Sequence, residues 1–272
     1  MNLSRSIRQT SPFFLKRAKY FFSRLLGTRL QKAKGIYFVT VNGQQYKRLI
    51  LCDSFLANEI EQQLEIFSET GYFPPLVARY EHEIWLEFVD GHPIRSVDEG
   101  FVIKIAEFYA TVYGKTPVLV KTEDSPFLSR LDDDLRFLHQ IGVLSQDAYR
   151  DLQAAIPDLV PEQLWMGHEY TDPVLKNFIQ RTENGRICIV DVDGLAVNQL
   201  LGTGVAKACF RWLEPHQSLF FTSLVQHGAP DIQAYFNFVQ LCFLAKWMKR
   251  AFMEQDWKVI DLALFERFRH PQ

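Results

Sequence analysis

Between Asn177 and Asp191 the chain reads as a tight β-hairpin. Asn177-Phe-Ile-Gln and Ile187-Cys-Ile-Val are short, apolar-rich runs, and Thr182-Glu-Asn-Gly-Arg between them carries Asn-Gly at its tip, a strong hairpin signal. Such a hairpin holds the start of one strand beside the end of the other, so it sets Asn177 next to Asp191. Asp172 lies five residues ahead of Asn177, and Asp191 fourteen beyond it. Taken alone, Asp172-Pro173 also reads as the start of an ordinary turn and Asp191 as a strand cap. As a set the three match a demanding chemistry. Phosphoryl transfer from a nucleotide needs one carboxylate to orient the acceptor hydroxyl, and an amide oxygen and a second carboxylate to hold Mg²⁺.

Upstream segments come in an order that gives this set a context. Gly35 to Val41 and Gln44 to Cys52 are strand-like runs joined by Asn42-Gly43, a second hairpin signal. Asn58 to Phe67 has helical periodicity, with Ile60, Leu64 and Phe67 on one face. A Pro-led strand, Gly71-Tyr-Phe-Pro-Pro-Leu-Val-Ala-Arg79, follows, and then Leu86-Glu-Phe-Val-Asp-Gly-His-Pro-Ile94. In this order the segments resemble the protein-kinase-like superfamily, in its small-molecule branch of aminoglycoside, choline and bacterial lipopolysaccharide sugar kinases. Leu86 to Ile94 is similar to the hinge of that branch, and Asp172 to Asn177 to its catalytic loop.

The resemblance implies an α+β, two-lobed protein-kinase-like fold, with a small antiparallel-sheet N-lobe carrying helix C and a mainly helical C-lobe. Residues 1–34 would form a basic amphipathic arm, 35–90 the N-lobe and hinge, and 91–272 the C-lobe with catalytic and metal loops. It implies ATP and Mg²⁺ as cofactors, Asp172 as the catalytic base, and Asn177 and Asp191 as metal ligands. Asp193, in the Asp191-Val-Asp-Gly194 loop, would approach a second metal; such Asp-x-Asp loops resemble those of lipopolysaccharide kinases. The Glu87 carbonyl and Val89 N–H would read adenine, and Glu59 would pair with a phosphate-binding cation on the strand Gln44 to Cys52. That strand offers Lys47 and Arg48. A pleated strand sends them to opposite faces, so one of the two points at the nucleotide, and which one stays open here. Tyr170 stands where the resembled loop carries His. Gly27 and Gly35 are the only glycines before the first hairpin, so a glycine-rich phosphate loop is not expected.

Charge is unevenly spread. Residues 1–34 hold nine Lys or Arg and no Asp or Glu, which leaves 21 basic and 32 acidic residues in the remainder. Ser11-Pro12 reads as a helix start and Gly27 as a stop. Between them Phe14, Leu15, Ala18, Phe21, Phe22, Leu25 and Leu26 share one face, and Lys16, Arg17, Lys19 and Arg24 the other. Residues 12–26 thus describe a helix for an anionic membrane surface, or one whose apolar stripe packs on the protein itself. Basic charge confined to one arm of an otherwise acidic chain gives no reason to expect a nucleic-acid partner.

Four scattered cysteines with no Cys-x-x-Cys pair point to a reducing compartment and away from zinc. No run of 18 uncharged apolar residues is present, so no membrane span is expected. The expected location is cytoplasmic, peripheral at the inner face of the membrane if the arm binds lipid. After the hinge, helices are expected over Asp98 to Tyr113, Pro126 to Ile141, Ser145 to Ile156, and within 202–214, 230–254 and 255–268. With no Ala-Pro-Glu motif near the end, the expected acceptor is a small molecule or glycolipid. The alternative from another class is a catalytically inactive, kinase-like nucleotide-binding protein or membrane-peripheral adaptor.

Overall fold

The computed structural model describes residues 35–256 and 261–269. The amphipathic arm expected over residues 12–26 lies outside them. The described residues divide into two compact units: 35–95 together with Leu175–Asp193, and Ser96–Val174 together with those from Gly194 onward. The hairpin carrying Asn177 and Asp191 therefore groups with the N-terminal unit.

In the first unit, β1 (Gly35–Val41), β2 (Gln44–Ile50), β3 (Leu76–Tyr80) and β4 (Glu83–Glu87) form an antiparallel sheet of order β1-β2-β4-β3. Asn42 and Gly43 both have positive φ, 51° and 82°, the backbone of a type I′ turn, whose twist matches the strands it joins. Helix α1 (Ser54–Ile66) begins at Asp53, whose carboxylate accepts from the Leu56 N–H at 2.9 Å. That cap starts the helix four residues before the periodicity alone places it. Leu56, Ile60 and Leu64 bury one face of α1 with Phe67, against Leu49, Ile84 and Leu86 of the sheet, all 4% exposed or less. Each such side chain contributes roughly 1.5–3 kcal/mol.

A second, three-stranded sheet completes this unit, with β5 (Gly91–Pro93), β8 (Phe178–Arg181) and β9 (Ile187–Ile189) in the order β5-β8-β9. The expected Asn-Gly hairpin is present. Gly185 takes φ 67° and Asn184 Oδ1 accepts from the Arg186 N–H at 2.9 Å. Asn177 itself closes a 3₁₀ turn, Leu175–Asn177, just before β8, rather than starting the strand. The Ile189 N–H donates to Tyr72 O at 2.7 Å, which fastens the hairpin to the Pro-led segment.

The second unit is built on α2 (Glu99–Tyr113). Asp98 caps it by accepting from the Phe101 N–H at 2.7 Å. Val102, Ile105, Ala106, Phe108, Tyr109, Val112 and Tyr113 are fully buried along it, since α2 packs on both a helix and a sheet. That sheet holds β6 (Val118–Lys121), β7 (Gln163–Tyr170) and β10 (Leu195–Leu200), in the order β10-β7-β6. The helices are α3 (Phe127–Gln140), α4 (Gln146–Leu159), α5 (Thr203–Ala208), α6 (Gln217–Gln226), α7 (Phe236–Met253) and the short α8 (Glu266–Arg269). The helix expected within 202–214 breaks in two. After α5 the backbone widens into a π turn, Cys209–Leu213, a distortion frequent at functional sites. Among the described residues no helix is long and apolar enough to cross a membrane.

Candidate active site

Lys47 and Arg48 are neighbours on β2, and the pleat separates them as expected. Lys47 Nζ donates to Val190 O, the carbonyl of the peptide that leads into Asp191. Arg48 turns to the other face, donating from Nε to Glu83 Oε2 at 2.8 Å and lying 5.5 Å above the Trp85 ring. The Glu83 carboxylate raises the Arg48 pKa, and the guanidinium lowers that of Glu83. Both side chains remain partly exposed, so the pair is a surface clasp of small energy. The strand thus offers Lys47, and not Arg48, to the end of the hairpin.

At that end, the Val190 N–H donates to Asn177 O at 2.9 Å. Val190 therefore ties Asn177 by its N–H and Lys47 by its carbonyl, immediately before Asp191. Asn177 is 5% exposed; Asp191 is half-buried, and so is Asp193 in the 3₁₀ turn Val192–Gly194. Among the described residues no three His, Cys, Asp or Glu gather into a self-sufficient metal site. Mg²⁺ does not require one, because it is commonly held by one or two carboxylates, with waters and substrate phosphates completing its shell. Asp191 and Asn177, joined through the Val190 backbone that Lys47 also meets, are residue types that fit that pattern.

The other residues of the first unit divide. The Glu87 N–H donates to Pro75 O at 3.0 Å, which places the backbone edge of Glu87, carbonyl included, on the side away from β2. Val89 is half-buried just after it. Glu59 does not take the expected partner: among the described residues it forms no ion pair, and on α1 it is Glu61 that meets a cation, Arg79, at 3.4 Å. The helix turns Glu59 about 200° away from Glu61, so only one of the two can face β3.

In the second unit Asp172 sits in the loop after β7. Lys207 Nζ, on α5, donates to its Oδ1. Five residues further on, in the π turn, Trp212 Nε1 donates to Pro173 O at 2.8 Å. The loop is also held from below, where the Thr171 N–H and hydroxyl both donate to Gly194 O, at 2.8 and 3.0 Å. Tyr170 is fully buried, and its ring lies where a Cβ on Gly194 would fall at 2.5 Å. A glycine at 194 is needed for that ring to fit.

Lys207, Trp212 and Glu169 did not stand out in the sequence. Lys207 is the one charged residue between Asp193 and Arg211, and that isolation is the signal it left. Glu169 left none. It is 0% exposed, and burial pushes its carboxyl up to about 8, against stabilising hydrogen bonds from Tyr113 and from backbone N–H groups.

Glu169 gives stability a pH slope. Between about pH 4.5 and about 8 the native state holds a proton here that the unfolded chain has released. The unfolding free energy then falls as pH rises across that window. Glu169→Gln has no proton to lose. Its melting temperature relative to the parent should rise from about pH 5 to about pH 8 in parallel thermal melts; a constant difference would show that Glu169 ionises normally.

No family model matches the sequence, and no curated protein matches it. Solved structures do. A type I macrolide 2′-phosphotransferase aligns with a TM-score of 0.58 at 11% identity, covering 97% of this chain and 100% of its own. Choline kinase LicA from Streptococcus pneumoniae aligns with a TM-score of 0.58 at 13% identity, over 94% of this chain and 98% of its own. An aminoglycoside phosphotransferase APH(4)-Ia variant, in a ternary complex with AMP-PNP and hygromycin B, aligns with a TM-score of 0.55 at 12% identity, over 91% and 95%. The fold is thus the protein-kinase-like fold, in the form seen in small-molecule kinases.

Proposed function

We propose that the protein is an ATP- and Mg²⁺-dependent phosphotransferase acting on the hydroxyl of a small molecule, and most specifically on a sugar hydroxyl of a membrane-anchored glycolipid such as a lipopolysaccharide core. The observation that carries the reaction type is the gathering of Lys47, Asn177 and Asp191 about Val190. In this reading a cation and two ligand-bearing side chains come from three separate segments that meet at the Val190 backbone. In this reading Lys47 grips the nucleotide phosphates, Asn177 and Asp191 hold Mg²⁺ with Asp193 at a second ion, and Glu87 and Val89 meet adenine with backbone groups. Bound Mg²⁺ supplies charge neutralisation at the transferring phosphoryl group. Asp172 orients the acceptor hydroxyl and takes its proton as its oxygen bonds to the γ-phosphorus and ADP departs. Lys207 keeps Asp172 in one rotamer. Glu59 has no assigned part, which departs from the expected Lys–Glu pair.

The Asp191-Val-Asp-Gly194 loop and the basic arm of residues 12–26 favour a glycolipid at an anionic surface. The aligned structures belong to enzymes named for macrolides, choline and aminoglycosides, so soluble acceptors form the comparison arm of the test. Transfer of labelled γ-phosphate from ATP is measured with lipopolysaccharide core, an aminoglycoside, a macrolide and choline. Label entering core oligosaccharide alone supports the glycolipid reading; label entering only a soluble acceptor removes it and keeps the reaction type.

A further inference from the structure

We infer that Glu169 is a positioning residue: from inside the second unit it fixes Gly202 at the start of α5, and through that short segment it holds Lys207 on Asp172 and Trp212 on Pro173. The inference rests on the role given to Asp172 in the proposed reaction, and its geometry lies wholly within one unit. Glu169 Oε2 accepts from the Tyr113 hydroxyl at 3.0 Å and from the Gly202 N–H at 2.7 Å. The Gly202 N–H is shared, since Tyr113 Oη accepts it at 3.0 Å. Three groups from α2, β7 and the start of α5 thus close on one point.

Gly202 takes φ 96°, a left-handed conformation that glycine adopts without cost, and α5 starts at the next residue. Two residues on, α5 lies flush against the strand. A Cβ on Gly204 would fall 1.9 Å from Tyr170 O and 2.8 Å from Glu169 Oε1. The turn that carries Lys207 is therefore seated on the strand that carries Glu169, three residues before Asp172. Packing alone does not call for a carboxyl here. Glu169 Oε1 makes no hydrogen bond of good geometry, and the Tyr170 and Gly204 N–H groups give the carboxyl only weak further support, an arrangement that an apolar side chain of similar volume would avoid. What the carboxyl adds is direction, because only an acceptor can take the Gly202 N–H and the Tyr113 hydroxyl together.

A structural role by itself would leave the reactivity of Lys207 unchanged, so that reactivity is the readout. In the full-length protein, acylation of each lysine by an amine-reactive ester is followed by mass spectrometry. Lys249, paired with Asp134 at 2.7 Å in the same unit, is the internal reference. In Glu169→Leu, Lys207 should acylate several-fold faster with Lys249 unchanged, and turnover should fall about 10²-fold at unchanged KM for ATP, the scale of a misplaced catalytic group. Glu169→Gln keeps an acceptor oxygen and should restore both. Where Glu169→Leu does not fold, Tyr113→Phe, which removes one donor and little volume, should give the same directions at smaller size. The double variant Glu169→Leu/Lys207→Met should lose no more turnover than Lys207→Met alone. Unchanged Lys207 acylation in a folded Leu or Phe variant overturns the inference, as do additive losses in the double variant. Accelerated acylation in a protein whose parent transfers no phosphate supports the linkage and sinks the proposed reaction, so the two failures are separable.

Discussion

Asp172→Asn is expected to lower phosphate transfer about 10³-fold, within the range lost when a general base is removed, at unchanged affinity for ATP. The amide keeps the shape of the carboxylate and still accepts from Lys207 Nζ, so the loop should hold its position. Neither partner is deeply buried, with side chains 21% and 34% exposed, and a pair of this kind contributes about 1 kcal/mol or less to stability. The melting temperature should therefore move little. What the amide cannot do is take the proton from the acceptor hydroxyl. Initial rates in the labelled-phosphate assay, with ATP titrated calorimetrically into both proteins, separate the two effects. Turnover within tenfold of the parent would remove Asp172 from the reaction.

Asp191→Asn carries the second large effect. A metal that neutralises charge in the transition state is worth several kcal/mol, and at 1.36 kcal/mol per tenfold this corresponds to a loss of about 10³-fold. The half-saturating Mg²⁺ concentration should rise at the same time, which a pure positioning defect would not cause. The hairpin should survive, because its ties at this end are backbone bonds: the Val190 N–H to Asn177 O, and the Val190 carbonyl to Lys47. Rates measured across a Mg²⁺ titration, beside thermal melts, report both outcomes. Full activity at an unchanged Mg²⁺ optimum would show that the ion is held elsewhere.

The parts of the fold legible in the sequence were those fixed by neighbouring residues. Asn42-Gly43 and Asn184-Gly185 placed two hairpins because positive φ is cheap only for such residues, and the second hairpin placed Asn177 by Asp191. Helix α1 was legible from Ile60, Leu64 and Phe67, but its start at Asp53 was not. The cap lies outside the apolar period. Alternation on β2 separated Lys47 from Arg48, yet it could not say which face met Val190, because that depends on a residue 143 positions away. Glu83 decided it by claiming Arg48. The same limit hid what supports the Asp172 loop. Glu169 meets Tyr113 and Gly202 across separations of 56 and 33 residues, and nothing near Glu169 in sequence marks it as buried. The strand β6, Val118–Lys121, is too short for a period to show, and the π turn at Cys209–Leu213 interrupts a segment that reads as plain helix.

In the proposed reaction Lys47 and the Asn177–Asp191 hairpin end bind Mg²⁺ and ATP together. Calorimetric titration of ATP into the full-length protein tests it most directly, with and without Mg²⁺, for the parent, Lys47→Met and Arg48→Met. The predicted result is binding that requires Mg²⁺, weakens about tenfold or more in Lys47→Met, as the loss of a charge-assisted phosphate contact implies, and persists in Arg48→Met. No binding heat in the parent under either condition, or equal binding by all three proteins, would contradict it.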